Sequence, residues 1–313
     1  MRSVVVVLNE SQSMHFTLPV WSKIFVIIAF FGLLSLSCNK FDGDQTVPSY
    51  LRIDTVTLQS EYYTQGSNTH NITDSWVYVN DQLYGVFELP ALFPVLQNGS
   101  QKLEIRPGIM LNGISGTRVP YPFYMPYSLK EFNFIEDSVR WVKPSTKYYS
   151  TAVFAWIEDF ENTGLSLSAS TNSDTSIYKT EPANSPEALV SQFSAYSGKI
   201  TLDQVHKDFE LTSFNTFVLP RNGAPVFLEL DYKCDLPFLV GMYASENGRV
   251  VSIPLIVVNS SEIWNKIYIN LGPNVTEHTE ASNYRIFFQS SIDNEESATF
   301  FLDNIKLIYR PNQ

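Results

Sequence analysis

The chain has 313 residues, of which 44% are hydrophobic and 14% aromatic, so it can fill the core of one large domain or two ordinary ones. Charged residues make up only 17%, which argues against a disordered or coiled-coil chain. The net charge of -11 argues against nucleic acid and against electrostatic docking to anionic lipids, because both need a basic patch.

The N-terminal segment has the pattern of an export signal. Lys23 precedes the apolar run Ile24–Leu36, and the small residue Ser37 follows it. The run is shorter than the roughly 20 residues that a membrane-spanning helix needs. The stretch before Lys23 is long for a signal peptide, so the true start is either Met1 or Met14.

The end of this segment, Leu34-Ser35-Leu36-Ser37-Cys38, resembles the lipobox of bacterial lipoproteins, with Ser35 where the family usually has an aliphatic residue. The resemblance implies cleavage before Cys38, lipidation of Cys38 and anchoring in the cell envelope, with the outer membrane as the expected location. The alternative is an ordinary signal peptide with an incidental cysteine. If Cys38 is lipidated, Cys234 has no disulfide partner.

The remaining chain is predicted to be all-β, as two β-sandwich modules in series. The expected layout is a signal peptide (1–37), a lipidated tether (38–49), a first module (50–157) and a second module (158–313). In the first module, alternating residues over Leu51–Leu58 predict a strand, and the runs Trp76–Val79 and Leu83–Phe87 flank a hairpin turn at Asn80-Asp81-Gln82.

Strand-like runs continue to the end of the second module, separated by turn signals, and no segment has a sustained helical stripe. Regular short strands of this kind indicate sandwiches rather than a parallel α/β sheet. The runs are Ala188–Val190, Val226–Tyr232, Phe238–Ala244, Val250–Val258, Ile263–Leu271, Tyr284–Gln289 and Thr299–Tyr309.

Two resemblances refine this layout. Val77–Gly85, Glu88–Pro90 and Lys102–Gly108 resemble PEGA-like, Ig-like surface modules, and the wider run Val47–Tyr127 resembles surface lipoproteins of the Bacteroidota type. That family implies a location but no ligand.

The second module resembles galactose-binding-like jelly rolls, the fold of many carbohydrate-binding modules. The matching stretches are Asp159–Glu161, Phe227–Tyr232, Trp264–Ile269 and Phe301–Leu307. Their order is typical of the fold, but it does not specify a sugar.

This resemblance also implies a structural calcium ion held by Glu161 and Asp303, near the first and last strands of the jelly roll. Calcium takes six to eight oxygen ligands, of which only two can be named here. The alternative is that both are ordinary solvated acids at strand ends.

A stiff aromatic segment stands out at Val119–Tyr127, where Tyr121, Phe123, Tyr124 and Tyr127 alternate with prolines. Exposed rings in such a segment could stack on sugars or anchor a partner protein. The structural alternative, which we favour, is that they cover one end of the first sandwich or wedge between the modules.

No catalytic motif is present. His70, His206 and His278 are isolated, and no zinc-protease or nucleophile-elbow pattern occurs. A carboxylate pair for glycoside hydrolysis has no fixed spacing and is left open. We therefore predict a non-catalytic, membrane-anchored surface protein that binds a glycan. The alternatives are an assembly subunit that binds an envelope protein and, less favoured, a glycan hydrolase.

Overall fold

Strands dominate the part of the chain for which the structure, a computed structural model, gives positions, namely Trp21 and residues 47–181, 187–191 and 193–311. The expected signal peptide, Cys38 and most of the tether lie outside these residues. The described residues from Pro48 onward belong to one compact unit. Among the described residues, no helix is long and apolar enough to cross a membrane.

The first sandwich is built from short strands and one helical turn, Tyr62–Gln65. Its strands are β1 (Ser49–Ile53), β2 (Thr57–Gln59), β3 (Asp74–Val79), β4 (Gln82–Glu88), β5 (Ala91–Val95), β6 (Gly99–Met110), β7 (Arg118–Pro120), β8 (Tyr127–Phe134), β9 (Val139–Val142) and β10 (Ser145–Lys147).

Two sheets of the first sandwich enclose its core. One has the order β4-β3-β6-β7, with β8 also paired to β6, and the other has the order β5-β1-β9. The alternating strand residues Leu51, Val77 and Ile105 are fully buried between them. Strands β2 and β10 form a separate parallel pair.

The hairpin predicted around Asn80 is confirmed, since β3 and β4 pair antiparallel across it. Asn80 and Asp81 have φ values of 51° and 64°. Positive φ at both central residues is the geometry of a type I′ turn, whose twist matches that of the flanking strands.

The second sandwich begins with β11 and ends with β21, and its one short helix is Gly272–Glu277. Its strands are β11 (Val153–Glu158), β12 (Leu167–Ala169), β13 (Tyr178–Lys179), β14 (Gly198–Asp203), β15 (Asp208–Ser213), β16 (Val226–Cys234), β17 (Phe238–Glu246), β18 (Arg249–Val258), β19 (Ser261–Asn270), β20 (Ala281–Ser291) and β21 (Ser297–Tyr309).

These strands form two antiparallel sheets. The terminal sheet, which contains the last strand, has the order β13-β14-β21-β16-β19 with β11 beside β21, and the opposing sheet has the order β12-β15-β20-β17-β18. The prediction of an all-β sandwich architecture is therefore confirmed. The core between the sheets includes Ile200, Leu230 and Leu307 from one side and Leu211, Met242 and Ile286 from the other.

The second sandwich starts earlier than the predicted border at 157/158. Strand β11 pairs with β21 from Val153 onward, and Trp156 belongs to the second core. The acidic stretch 158–161, which follows the predicted border, closes this strand. The carboxylate of Glu158 accepts hydrogen bonds from the backbone N–H groups of Phe160, at 2.9 Å, and Ser166, at 2.6 Å.

The strand predicted at Ala188–Val190 is not formed. The backbone N–H of Leu189 donates to the side-chain oxygen of Ser197 at 3.0 Å rather than to a neighbouring strand, and Val190 is exposed. The apolar residues of this stretch therefore lie in a surface loop.

Candidate functional site

The aromatic segment proposed as a binding surface is mostly buried. Tyr121, Phe123 and Tyr124 are 2%, 0% and 3% exposed, and Tyr127 is half-buried against the first core. The first three pack against Phe227 and Tyr268 of the terminal sheet. The segment is a wedge between the sandwiches, as the structural alternative expected, and its buried rings are not available to a ligand.

Beneath the wedge lies a buried polar layer that joins the sandwiches. The carboxylate of Glu229 accepts hydrogen bonds from the hydroxyl groups of Tyr121, at 2.8 Å, and Tyr148, at 3.0 Å. The ammonium group of Lys306 donates to the backbone oxygen of Ser67 at 2.6 Å. Its complete burial lowers the pKa of Lys306 to about 8. This layer has the character of a structural junction, because every group in it is satisfied within the chain.

Glu161 and Asp303, the expected calcium ligands, are both engaged by hydrogen-bond donors. Oε1 of Glu161 accepts from the backbone N–H groups of Ala195 and Tyr196, each at 2.8 Å. Oδ2 of the fully buried Asp303 accepts from the hydroxyl of Ser197 at 2.8 Å. Burial raises the pKa of Asp303 well above its ordinary value.

These contacts do not fit a calcium ion. Calcium needs six to eight oxygens, whereas N–H and O–H donors point at the oxygens that would bind it. Among the described residues, no group of three or more His, Cys, Asp or Glu side chains could hold a metal. The geometry agrees better with two acids that fix the loop before β14.

A cavity of about 560 Å³ lies on the outer face of the opposing sheet, and we call it the platform cleft. Alternation along β20 builds its floor, because Ile286 and Phe288 point into the core while Arg285 and Phe287 point outward. Strand β12 and the residues after it form one wall. Hydroxyl groups line the cleft, from Ser168, Ser170, Thr171, Thr212, Thr216 and Ser245.

Two aromatic rings form the platform itself. The rings of Tyr243 and Phe287 have centroids 4.6 Å apart and are inclined by 31°. Gly241, which is opposite Phe287 in the register, makes this possible, since a Cβ there would lie 2.1 Å from the Phe287 ring. Phe287 is only 1% exposed and supports Tyr243, which faces the cleft.

Charged groups of both signs border the platform. The carboxylate of Glu210 is 5% exposed and accepts a hydrogen bond from the amide of Asn172 at 3.4 Å. Burial, followed by a hydrogen bond to Glu210, raises the pKa of Tyr243 to about 12, so its hydroxyl stays protonated. Arg285 lies opposite Tyr243 in the register and is exposed.

This arrangement can bind a ligand that has both an apolar face and hydroxyl groups. A ring face accepts the C–H face of a flat molecule, while Glu210 and Arg285 supply a hydrogen-bond acceptor and donor at its edge. Glu210 is the one carboxylate among the described residues that line the cleft. Glycoside hydrolysis uses two carboxyl groups about 5 to 10 Å apart, so this cleft lacks that machinery.

No sequence motif marks Tyr243, Phe287, Glu210 or Arg285 as site residues. A signal was present in the strand predicted at Tyr284–Gln289, where the alternation places an aromatic residue, Phe287, on the outward side. Its pairing with Gly241 depends on strand order, which the alternation does not reveal.

No protein-family model matches the chain, and no curated protein is significantly similar in sequence. Several solved structures resemble part of it. A xylan-binding domain from CBM 22 has 9% identity, covers 51% of this chain and 97% of its own, and gives a TM-score of 0.36.

Two further neighbours are also carbohydrate-binding modules. The C-terminal family 22 module of Clostridium thermocellum Xyn10B has 7% identity, covers 51% of this chain and 95% of its own, with a TM-score of 0.35. A CBM29-2 mutant complexed with mannohexaose has 11% identity and a TM-score of 0.30; the match covers 50% of this chain and 92% of the mutant's chain. Similarity this low indicates no ligand for this chain.

Proposed function

We propose that the protein is a non-catalytic glycan-binding protein of the cell envelope, anchored by a lipid on Cys38, and that the platform cleft binds the sugar. The observation that carries the proposal is the ring of Tyr243, supported by the tilted ring of Phe287, beside the buried carboxylate of Glu210. Pyranose rings offer an apolar C–H face and a rim of hydroxyl groups, and the cleft presents partners for both.

The volume and lining of the cleft support the same ligand class. A cavity of about 560 Å³ lies within the usual range for small-ligand sites. Its walls carry hydroxyl groups beside the apolar side chains of Ala169 and Val250, which favours a ligand that has both polar and apolar surface. The negative net charge of the chain favours neutral sugars over acidic ones.

Calorimetry with xylohexaose, mannohexaose and β-1,4-galactotriose tests this function. Tyr243→Ala removes the upper ring of the platform and should abolish binding in the cleft. Tyr63→Ala is the matched control, because Tyr63 is 93% exposed on the first sandwich. Equal binding by wild type and Tyr243→Ala would rule out the cleft, and release of shorter sugars would indicate a hydrolase.

A second candidate function is docking of an envelope protein, the assembly role. One observation favours it: Leu83, Leu92 and Leu96 of the first sandwich are 50%, 55% and 58% exposed. Tyr84 links the two unpaired edges on which they lie, since its hydroxyl donates to the backbone oxygen of Pro94 at 2.9 Å. Exposed apolar side chains at sheet edges are typical of docking surfaces.

A further inference from the structure

A second cavity, of about 490 Å³, lies on the opposite face of the second sandwich from the platform cleft. We call it the seam pocket, because both sandwiches line it. Thr69 and His70 of the first sandwich form one side, and Asp231, Trp264 and Lys266 of the terminal sheet form the other. The neighbours Leu230 and Ile267 point into the core, so Asp231 and Lys266 project from the outer face.

His70 has a buried polar atom without a partner. Its Nδ1 is shielded from solvent and makes no hydrogen bond in the part of the chain that the structure describes. Burial lowers the pKa of His70 below its ordinary value, so the ring is predominantly neutral near pH 7. The unpartnered nitrogen carries a desolvation cost that nothing in the described chain repays. The accessible edge of the same ring borders the pocket, where a ligand hydroxyl can act as donor or acceptor.

The charged side chains at the floor of the pocket already pair with one another. The ammonium group of Lys266 lies 3.5 Å from a carboxylate oxygen of Glu229 and 3.5 Å from one of Asp231. The other oxygen of Asp231 accepts a 2.5 Å hydrogen bond from the hydroxyl of Thr69. An ionic ligand would find no unshared opposite charge here, which favours a neutral, polyhydroxylated one.

Trp264 provides a wall whose position is fixed. Its indole N–H donates to the backbone oxygen of Glu187 at 2.7 Å, and its ring lies 6.1 Å from that of Phe301. The ring is half-buried, so part of it borders the pocket. The amide of Asn265, held at 3.1 Å by that of Asn71, lies beside it. Indole, amide, imidazole and carboxylate groups together match the surface of a pyranose.

We propose that the seam pocket is a second glycan site, which takes one neutral pyranose residue with its ring against Trp264 and a hydroxyl group on the accessible edge of the His70 imidazole. This rests on the proposed function for the ligand class, but not on the platform cleft for its geometry. Since loops of both sandwiches contact the same sugar, binding there also ties the two sandwiches together. Two sites on opposite faces would let one molecule bridge two glycan chains.

Calorimetry with the same three oligosaccharides separates the two sites by stoichiometry. The wild type should bind two molecules of at least one of them. Tyr243→Ala should retain the seam site alone, and Trp264→Ala should retain the cleft alone. His70→Leu fills the volume without the nitrogen, so it should weaken the seam site by roughly tenfold or more while the protein stays folded. Trp141→Ala, at an exposed tryptophan of the first sandwich, should change nothing.

Each outcome decides between the two proposals. Complete loss of binding in Tyr243→Ala would overturn the seam site and leave the cleft standing. Binding that survives in Tyr243→Ala but is lost in Trp264→Ala would support the seam site even if the cleft is wrong. Binding to the wild type that neither Trp264→Ala nor His70→Leu alters would overturn the seam site, and no binding of any of the three sugars would overturn both.

Discussion

The hydroxyl group of Tyr121 in the first sandwich donates a 2.8 Å hydrogen bond to the fully buried carboxylate of Glu229 in the second. Each sandwich thereby supplies the hydrogen-bond partner that a buried polar group of the other sandwich needs. An ionised carboxylate buried without such donors would lose several kcal/mol of solvation free energy. The first sandwich therefore supplies part of the surroundings of the terminal sheet in the second sandwich. A change that disturbs one sandwich should also lower the stability of the other.

Replacing Phe123 by alanine should test this coupling. The side chain is 0% exposed and packs on Tyr121 and Phe227, so its truncation should lower the free energy of unfolding by roughly 3 kcal/mol or more. Urea denaturation measures the change. Phe214→Ala, at a residue that is 69% exposed, is the control and should have little effect. An unchanged stability together with lost ligand binding would make the aromatic segment a binding site after all.

Lys306 should give the protein an unusual dependence on pH. Burial lowers its pKa from 10.5 to about 8 in the folded chain. Between these values the unfolded chain keeps a proton that the folded chain has released, so stability should rise with pH. Lys306 alone should contribute a rise of roughly 2 kcal/mol from pH 7 to pH 9.5. The buried thiol of Cys234, whose pKa is raised from 9.0 to about 11, opposes this rise at the upper end of the range. Above that range the buried tyrosines, whose pKa values are raised, reverse the trend.

Urea denaturation across this pH range measures the effect. Lys306→Met should show a flatter profile than the wild type, because the titrating group is gone. Lys130→Met, at an exposed lysine of the first sandwich, should keep the wild-type rise. The assignment to Lys306 fails if its methionine variant and the wild type rise equally.

Strands of the second sandwich were predictable where apolar side chains alternate on the face that enters the core. In the strand predicted at Tyr284–Gln289, the residues Tyr284, Ile286 and Phe288 are all in the core. The turn at Asn80 was predictable for a local reason, since it needs two residues that tolerate positive φ. In both cases the local sequence pattern is enough to predict the local backbone structure.

The junction between the sandwiches was not predictable by the same means. The alternation over Leu51–Leu58 suggested one strand, but β1 ends at Ile53 and β2 begins at Thr57. Leu51 and Ile53 enter the first core, whereas Val56 and Leu58 enter the cluster between the sandwiches. The apolar positions shift from odd to even numbers between Ile53 and Val56, but this shift does not reveal that the second pair enters a different core. The platform cleft and the seam pocket depend on the same long-range arrangement.

Calcium should leave the melting temperature of the protein unchanged relative to a chelator. Oε1 of Glu161 and Oδ2 of Asp303 already accept hydrogen bonds, and a cation bound to these atoms would have to displace the donors. Thermal unfolding in calcium and in chelator measures this. A calcium-dependent rise that disappears in Asp303→Asn would instead establish the ion expected from the jelly-roll resemblance, because a ligand of the folded state stabilises it by mass action.

Lipidation of Cys38 is predicted from the short apolar run that ends at Ser37. Metabolic labelling with a fatty acid should mark the wild type but not Cys38→Ala, because the thiol is the acceptor of the lipid. Cys234→Ala is the matched control and should keep the label, since Cys234 is buried in β16. Equal labelling of wild type and Cys38→Ala would leave an ordinary signal peptide as the explanation.

Gly241→Ala should deform the platform cleft, although the changed residue itself does not contact the ligand. A Cβ at this position would lie 2.1 Å from the ring of Phe287, which would have to move and take Tyr243 with it. Overpacking of this kind lowers stability by roughly 1 to 3 kcal/mol, and the displaced rings should abolish sugar binding in the cleft.

Gly116→Ala is the control, because a Cβ there meets open space. Calorimetry and urea denaturation measure both effects. In the double variant Gly241→Ala/Phe287→Ala the clash is relieved, so its loss of stability should be smaller than the sum of the two single losses, while binding does not return. A Gly241→Ala protein that still binds sugar in the cleft as the wild type does would show that the ring of Tyr243, held by Phe287, is not the binding surface.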